Sequence, residues 1–122
     1  MGNFLSQSER ETVRVALSDA FVDNEVDYKA IAKAVSQFNW IDVEEIFFSE
    51  VAPVCDSNLS TPAPQIWTAF EPVSLNVAIE KMLAARRDSF WTRQKDKVLV
   101  QRLRHKYADI WKSILQNLHN PS

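Results

Sequence analysis

Two histidines, one cysteine and sixteen carboxylates are the first candidates here for metal binding, thiol nucleophilicity or carboxylate acid–base chemistry. Asp19, Asp23, Glu25 and Asp27 crowd one short stretch, and Asp23-x-Glu25-x-Asp27 resembles the opening of a calcium loop. Such a loop needs a glycine at its sharp turn and a bidentate acid at its end. This chain has no glycine after Gly2, and Ala34 stands where the acid belongs. A calcium-binding hand is excluded. A looser divalent-ion site drawing in Glu45 or Glu50, and hydrolysing a phosphoester or amide, is the alternative enzymatic reading. His105 and His119 are fourteen residues apart with no thiol beside either, a spacing that matches no zinc motif. A Cys55–His105 nucleophile pair needs two distant segments to meet, and a lone cysteine is more often a small buried hydrophobe. The expectation is no catalytic residue, no metal and no cofactor.

Glycine occurs once, at Gly2. Phosphate-cradling and dinucleotide-binding loops use glycines so that backbone can approach the ligand closely, and neither fits this chain. No apolar run approaches the ~20 residues that cross a bilayer, and no basic-then-apolar leader is visible. Met1-Gly2-x-x-x-Ser6 fits an acylation pattern short enough to arise by chance, and no membrane partner is expected. One cysteine rules out an internal disulfide and fits a reducing compartment, so the cytoplasm is expected. Net charge is −2, unevenly placed: residues 1–60 carry a balance of −7 and residues 61–122 one of +5. Two halves so charged neutralise each other by packing, or recruit a charged partner.

The elements that must position these groups read as helices throughout. Ser8-x-x-Glu11, or Ser6-x-x-Glu9 in the alternative register, is a capping box opening a helix to about residue 22. Asp27 caps a second helix over 28–38, burying Ile31, Ala34, Val35 and Phe38. Asp42-x-x-Glu45 leads a third, with Val43, Ile46, Phe47 and Val51 inward, and Pro53 stops it near Ala52. Residues 53–73 read as irregular, with a helical turn over 65–69 that pins Ile66, Trp67 and Phe70. Ser74 caps a helix over 75–88. The final run then places Leu99, Leu103, Tyr107, Ile110, Ile114 and Leu118 at steps of four and three with no Pro or Gly inside it. The expectation is all-α: one domain, residues 1–122, a compact bundle of about five helices with a long C-terminal helix over 92–118.

Arg86, Arg87, Arg93, Lys95, Lys97, Arg102, Arg104 and Lys106 make the C-terminal half basic. Nucleic-acid binding is not expected, because Trp91, Tyr107 and Trp111 fall at helical spacing for a core rather than forming an exposed stacking platform. The face is solvated, or it meets an acidic protein. The acidic residues Asp19, Asp23, Glu25, Glu45 and Glu50, with the aromatic pair Trp67 and Phe70, are the candidate partner-binding residues.

The run Ala16 to Glu25, the stretch Glu44-Glu45-Ile46 through Glu50-Val51-Ala52-Pro53-Val54 with Asn58-Leu59, and Trp67, Phe70 and the segment to Leu83 resemble a family of small bacterial domains of unknown function. The resemblance spans about residues 10–83 and leaves the basic helix outside. Gln65-Ile66 stands where the family tends to have a glycine. The resemblance implies a bacterial source and brings no activity. The functional expectation is therefore a non-catalytic protein–protein interaction module, an immunity protein or inhibitor that occludes a bacterial toxin or effector.

Overall fold

The computed structural model describes residues 5–21, 26–59 and 72–119, with the side chains of 57–59 and 119 excepted. Every described element is helical, as the sequence pattern requires. Helix α1 (Gln7–Ser18) takes the Ser6 register: the Ser6 hydroxyl accepts from Glu9 N–H while the Glu9 carboxylate accepts from Ser6 N–H. A single 3-10 turn, Asp19–Phe21, follows. Asp27 caps α2 (Tyr28–Val35) by accepting from Ala30 N–H. Ala32, not Ala34, joins Ile31 and Val35 on its buried side. Asn39, rather than Asp42, opens α3 (Trp40–Ile46), accepting from Ile41 N–H.

Pro53 does not end the third helix. The chain passes through one wide π turn, Phe47–Val51, in which Ala52 N–H reaches back five residues to Phe47 C=O, and continues as α4 (Ala52–Leu59). A proline inside a helix lacks an N–H and crowds the carbonyl four residues back. Widening the turn just before it relieves that crowding. The Ser49 carbonyl, which would ordinarily bond residue 53, instead accepts from Arg86 Nη2 at 2.7 Å. Arg86 also donates to Ser49 Oγ at 3.1 Å and to Asp96 Oδ2 at 2.7 Å. A residue of the basic stretch is thus spent inside the fold.

Helix α5 (Pro72–Asp88) starts on proline, which suits a first turn where the missing N–H has no partner to lose. Ser89 caps α6 (Phe90–Lys106) through Thr92 N–H. The long C-terminal rod divides at Tyr107, whose φ of −110° and ψ of 20° leave the helical region, and resumes as α7 (Ala108–His119). Hydrogen bonds from Tyr107 N–H to Leu103 C=O and from Trp111 N–H to Tyr107 C=O carry the chain through the bend. The Tyr107 ring meets Phe21 edge-on at 4.9 Å, and its hydroxyl donates to Asp56 at 2.5 Å. Tertiary anchoring of one side chain fixes the bend, with no Gly or Pro to signal it.

The core centres on the π turn. Phe47 is fully buried, stacked on Phe21 at 5.5 Å and on Trp111 at 5.7 Å, with Phe48 edge-on at 4.9 Å. Val13, Leu17, Val43, Ile46, Val51, Ile79, Leu103 and Ile114 complete it. Each such side chain stabilises by roughly 1.5–3 kcal/mol relative to exposure. Helix α7 lies along α2, and α6 packs on α5, α4 and the π turn. No described helix is long and apolar enough to cross a membrane.

Candidate interaction surface

The three described acidic candidates, Asp19, Glu45 and Glu50, do not form one exposed face. Asp19 is exposed at the end of α1, and partial burial holds its carboxyl above the usual range. Glu45 is exposed on α3, with an oxygen 3.4 Å from Arg104 Nη2. Asp23 and Glu25 lie outside the described residues, as do Trp67, Phe70 and the expected turn over 65–69. Glu50 is a correction: it is 4% exposed, paired with Arg10 and, at 2.9 Å, with Arg14 Nε. Arg14 is itself fully buried and reaches Glu80 at 2.9 Å and Asn76 at 3.2 Å. A buried charge costs several kcal/mol unless it is paired and hydrogen-bonded, and this network supplies both. Glu50 therefore ties α1 to the π turn and cannot face a partner.

Three of the eight cations in the basic stretch are likewise committed. Arg86 holds Ser49 and Asp96, Arg104 lies over the Phe48 ring at 4.9 Å and beside Glu44 and Glu45, and Lys106 meets Asp56 at 2.7 Å. Burial alone would raise the Asp56 carboxyl. The hydrogen bonds from Lys106 and Tyr107, with the Lys106 charge, outweigh it and hold the group below its ordinary value. Arg104 and Lys106 thus pair with carboxylates of the acidic half, whereas the carboxylate partner of Arg86 is Asp96 of its own half.

Five cations are not so used. Arg87, Arg93, Lys95, Lys97 and Arg102 are exposed and make no ion pair among the described residues, although Arg93 rests 5.8 Å from the Phe90 ring. Four of them lie on α6, whose only carboxylate, Asp96, faces inward to Arg86. The apolar side chains here are also outside. Phe90 and Trp91 meet edge-to-face at 5.7 Å at the α5–α6 corner, with Trp91 75% exposed and Val98 59% exposed. This overturns the expectation for Trp91. On α6 the buried side is Leu103 with half-buried Leu99 and Val100, and Trp91 falls on the opposite side of the helix. The result is a helical face combining aromatic, aliphatic and cationic groups with no carboxylate of α6 among them, exposed Asp88 standing at the preceding corner.

The other features offer less chemistry. Among the described residues no group of three or more His, Cys, Asp or Glu is placed to hold a metal ion. Cys55 is fully buried and burial pushes its thiol well up, whereas His105 stands exposed on α6. An open groove of about 860 Å³ runs between α1 and α5, walled by Thr12, Val15, Val73 and Val77 with Asn76 and Glu80 at its edge. The basic stretch is legible in the sequence as a face that is solvated or meets an acidic protein; what the helical spacing of Trp91 does not reveal is that the tryptophan stands on that exposed side. The signal was present nonetheless, as a second periodic stripe in α6 offset from the buried one and free of acids.

Residues 8–117 match the family described as "Domain of unknown function (DUF7079)". No curated protein and no solved structure matches the chain. The match runs beyond residue 83, where the sequence resemblance stops, and takes in α6 and nearly all of α7. The basic helix is part of the family's domain.

Proposed function

We propose that this chain, which belongs to that family, is a non-catalytic protein-interaction module that presents the outward face of α6 to an acidic protein. The observation that carries the proposal is the exposed side of α6 itself: Trp91 and Val98 in water, alternating with Lys95 and Arg102. Arg93 and Lys97 stand further round the exposed arc, and none of the four cations makes an ion pair among the described residues. Large apolar side chains left exposed and rimmed by polar residues along one side of a helix suit a docking surface. Tryptophan and arginine dominate binding hot spots, and cations without partners steer a negatively charged surface into register. The role that suits such a module is an immunity protein or inhibitor of a bacterial toxin, acting by occlusion. The helix covers the toxin's working cleft, and protection is stoichiometric. A bacterial, cytoplasmic setting agrees with a family resemblance of that origin and with a single, buried cysteine.

The test compares the proteins retained from the source cell by the wild-type chain and by Lys95→Glu/Arg102→Glu, with helicity checked by circular dichroism. A specific acidic protein held by the wild type and lost by the variant is the expected result. Its added amount should protect that partner's target in a one-to-one titration. Retention unchanged by the double charge reversal would remove α6 as the binding face.

A further inference from the structure

On α6 the exposed residues Trp91, Lys95, Val98, Arg102 and His105 follow one another at steps of four, three, four and three. A mean step of 3.5 residues makes a stripe that winds only about 20° per heptad around the helix, the slow drift that a supercoiled pair of helices follows. At about 1.5 Å per residue this seam is roughly 21 Å long, about four turns. Apolar and cationic side chains alternate along its first four positions, and neutral Gln94 and Gln101 form one shoulder. Resting on the reading of α6 as the interaction face, we infer that the partner docks through an acidic amphipathic α-helix laid along this seam. Its aliphatic side chains sit against Trp91 and Val98, and its carboxylates reach Lys95 and Arg102.

The geometry favours this occupant over others. A seam one side chain wide and four turns long is matched by a second helix crossing at about 20°, which keeps its own 3.5-residue stripe in step. An extended peptide, with its two-residue repeat, drifts out of register along the same stripe. For a nucleic acid, Val98 would sit uselessly at the centre of the phosphate track. Lys95 and Arg102 exclude a basic helix, since like charges set face to face are repelled.

The probe is a fluorescein-labelled peptide of about 20 residues, long enough for the seam, with leucine and glutamate alternating at 3.5-residue spacing on an alanine background. Its control has the same composition scrambled so that no stripe forms. Fluorescence anisotropy with the full chain should give micromolar-range binding of the striped peptide at low salt, weakened about tenfold or more by scrambling and by Lys95→Glu/Arg102→Glu. Trp91→Ala, at an exposed site, should weaken it without altering the circular dichroism. Equal binding of striped and scrambled peptides would overturn the helix inference while leaving an acidic partner standing. Absence of binding to either would overturn it too. So would tighter binding of an oligothymidylate, or self-association abolished by the same charge reversals, which would make a second copy the occupant. Loss of native partner retention on charge reversal is read separately, so failure here does not decide the broader reading.

Discussion

Arg86 offers a sharp test of how the fold is held, because its guanidinium stands in for the N–H that Pro53 lacks. In Arg86→Met the aliphatic stem remains, but the Ser49 carbonyl loses its 2.7 Å donor and the Asp96 carboxylate its 2.7 Å partner. Both ion-pair side chains are mostly buried, at 14% and 19% exposure, so solvent screens the loss only partly. Hydrogen bonds to charged groups contribute about 1.5–3 kcal/mol, and stranding a buried charge costs more than losing a neutral bond. The expected destabilisation is about 3 kcal/mol, or a fall in Tm of about 12 °C for a domain of this size. Urea unfolding followed by far-UV circular dichroism measures it, with an unchanged m-value confirming a change in stability alone. Pro53→Ala restores an N–H four residues after Ser49, so in its background Arg86→Met should cost about 1 kcal/mol less. A loss below about 0.5 kcal/mol, typical of an ordinary surface substitution, or strict additivity in the cycle, would refute the account.

Glu50→Ala should destabilise by about 3–5 kcal/mol, since it leaves fully buried Arg14 with only half-exposed Glu80 as counter-charge; a loss under about 1 kcal/mol would return Glu50 to the surface role. The Asp56 carboxyl sits below its ordinary value, so its contribution is present above pH about 4 and is lost as pH falls through the lowered value. Tyr107→Phe should make that acid limb shallower. The Tyr107 hydroxyl is pushed up, first by burial and then by Asp56, so its stabilisation holds below pH about 10 and fades above it. Unfolding midpoints across pH check both limbs, and identical profiles for wild type and Tyr107→Phe would contradict them. Cys55, wholly buried with its thiol shifted up, should react with Ellman's reagent at a rate that follows the unfolding equilibrium in added urea. Fast labelling of the native protein would place it at the surface.

Helix identity was legible because periodicity is a local property. Val13, Leu17, Ile31, Val35, Val43, Ile46 and Phe47 all fall where their spacing puts them, in the core. Asp27 was legible as a cap for the same reason, since its acceptor reaches three residues. Pro53 departs from the local rule because its usual effect is cancelled from afar: a π turn gives it room and Arg86, distant in sequence, satisfies the carbonyl. The bend at Tyr107 likewise depends on Asp56 and Phe21. For the candidate site, the charge asymmetry was visible but its allocation was not. Composition does not say that Arg14 and Arg86 serve the interior and Lys106 pairs with Asp56 at the surface while Lys95 and Arg102 are left to solvent. Trp91 shows the limit most clearly, because a helix with two apolar stripes does not announce which of them faces its neighbours.

The account rests on α6 being the face that meets another protein, and photo-crosslinking addresses it directly. A diazirine-bearing side chain is placed in turn at Trp91, Val98, Asp19 and Glu45, all exposed. Irradiation in the presence of the retained partner should yield covalent adducts from positions 91 and 98 and none from 19 or 45. Adducts from 19 and 45 with none from 91 and 98 would move the interface to the acidic side and contradict the account.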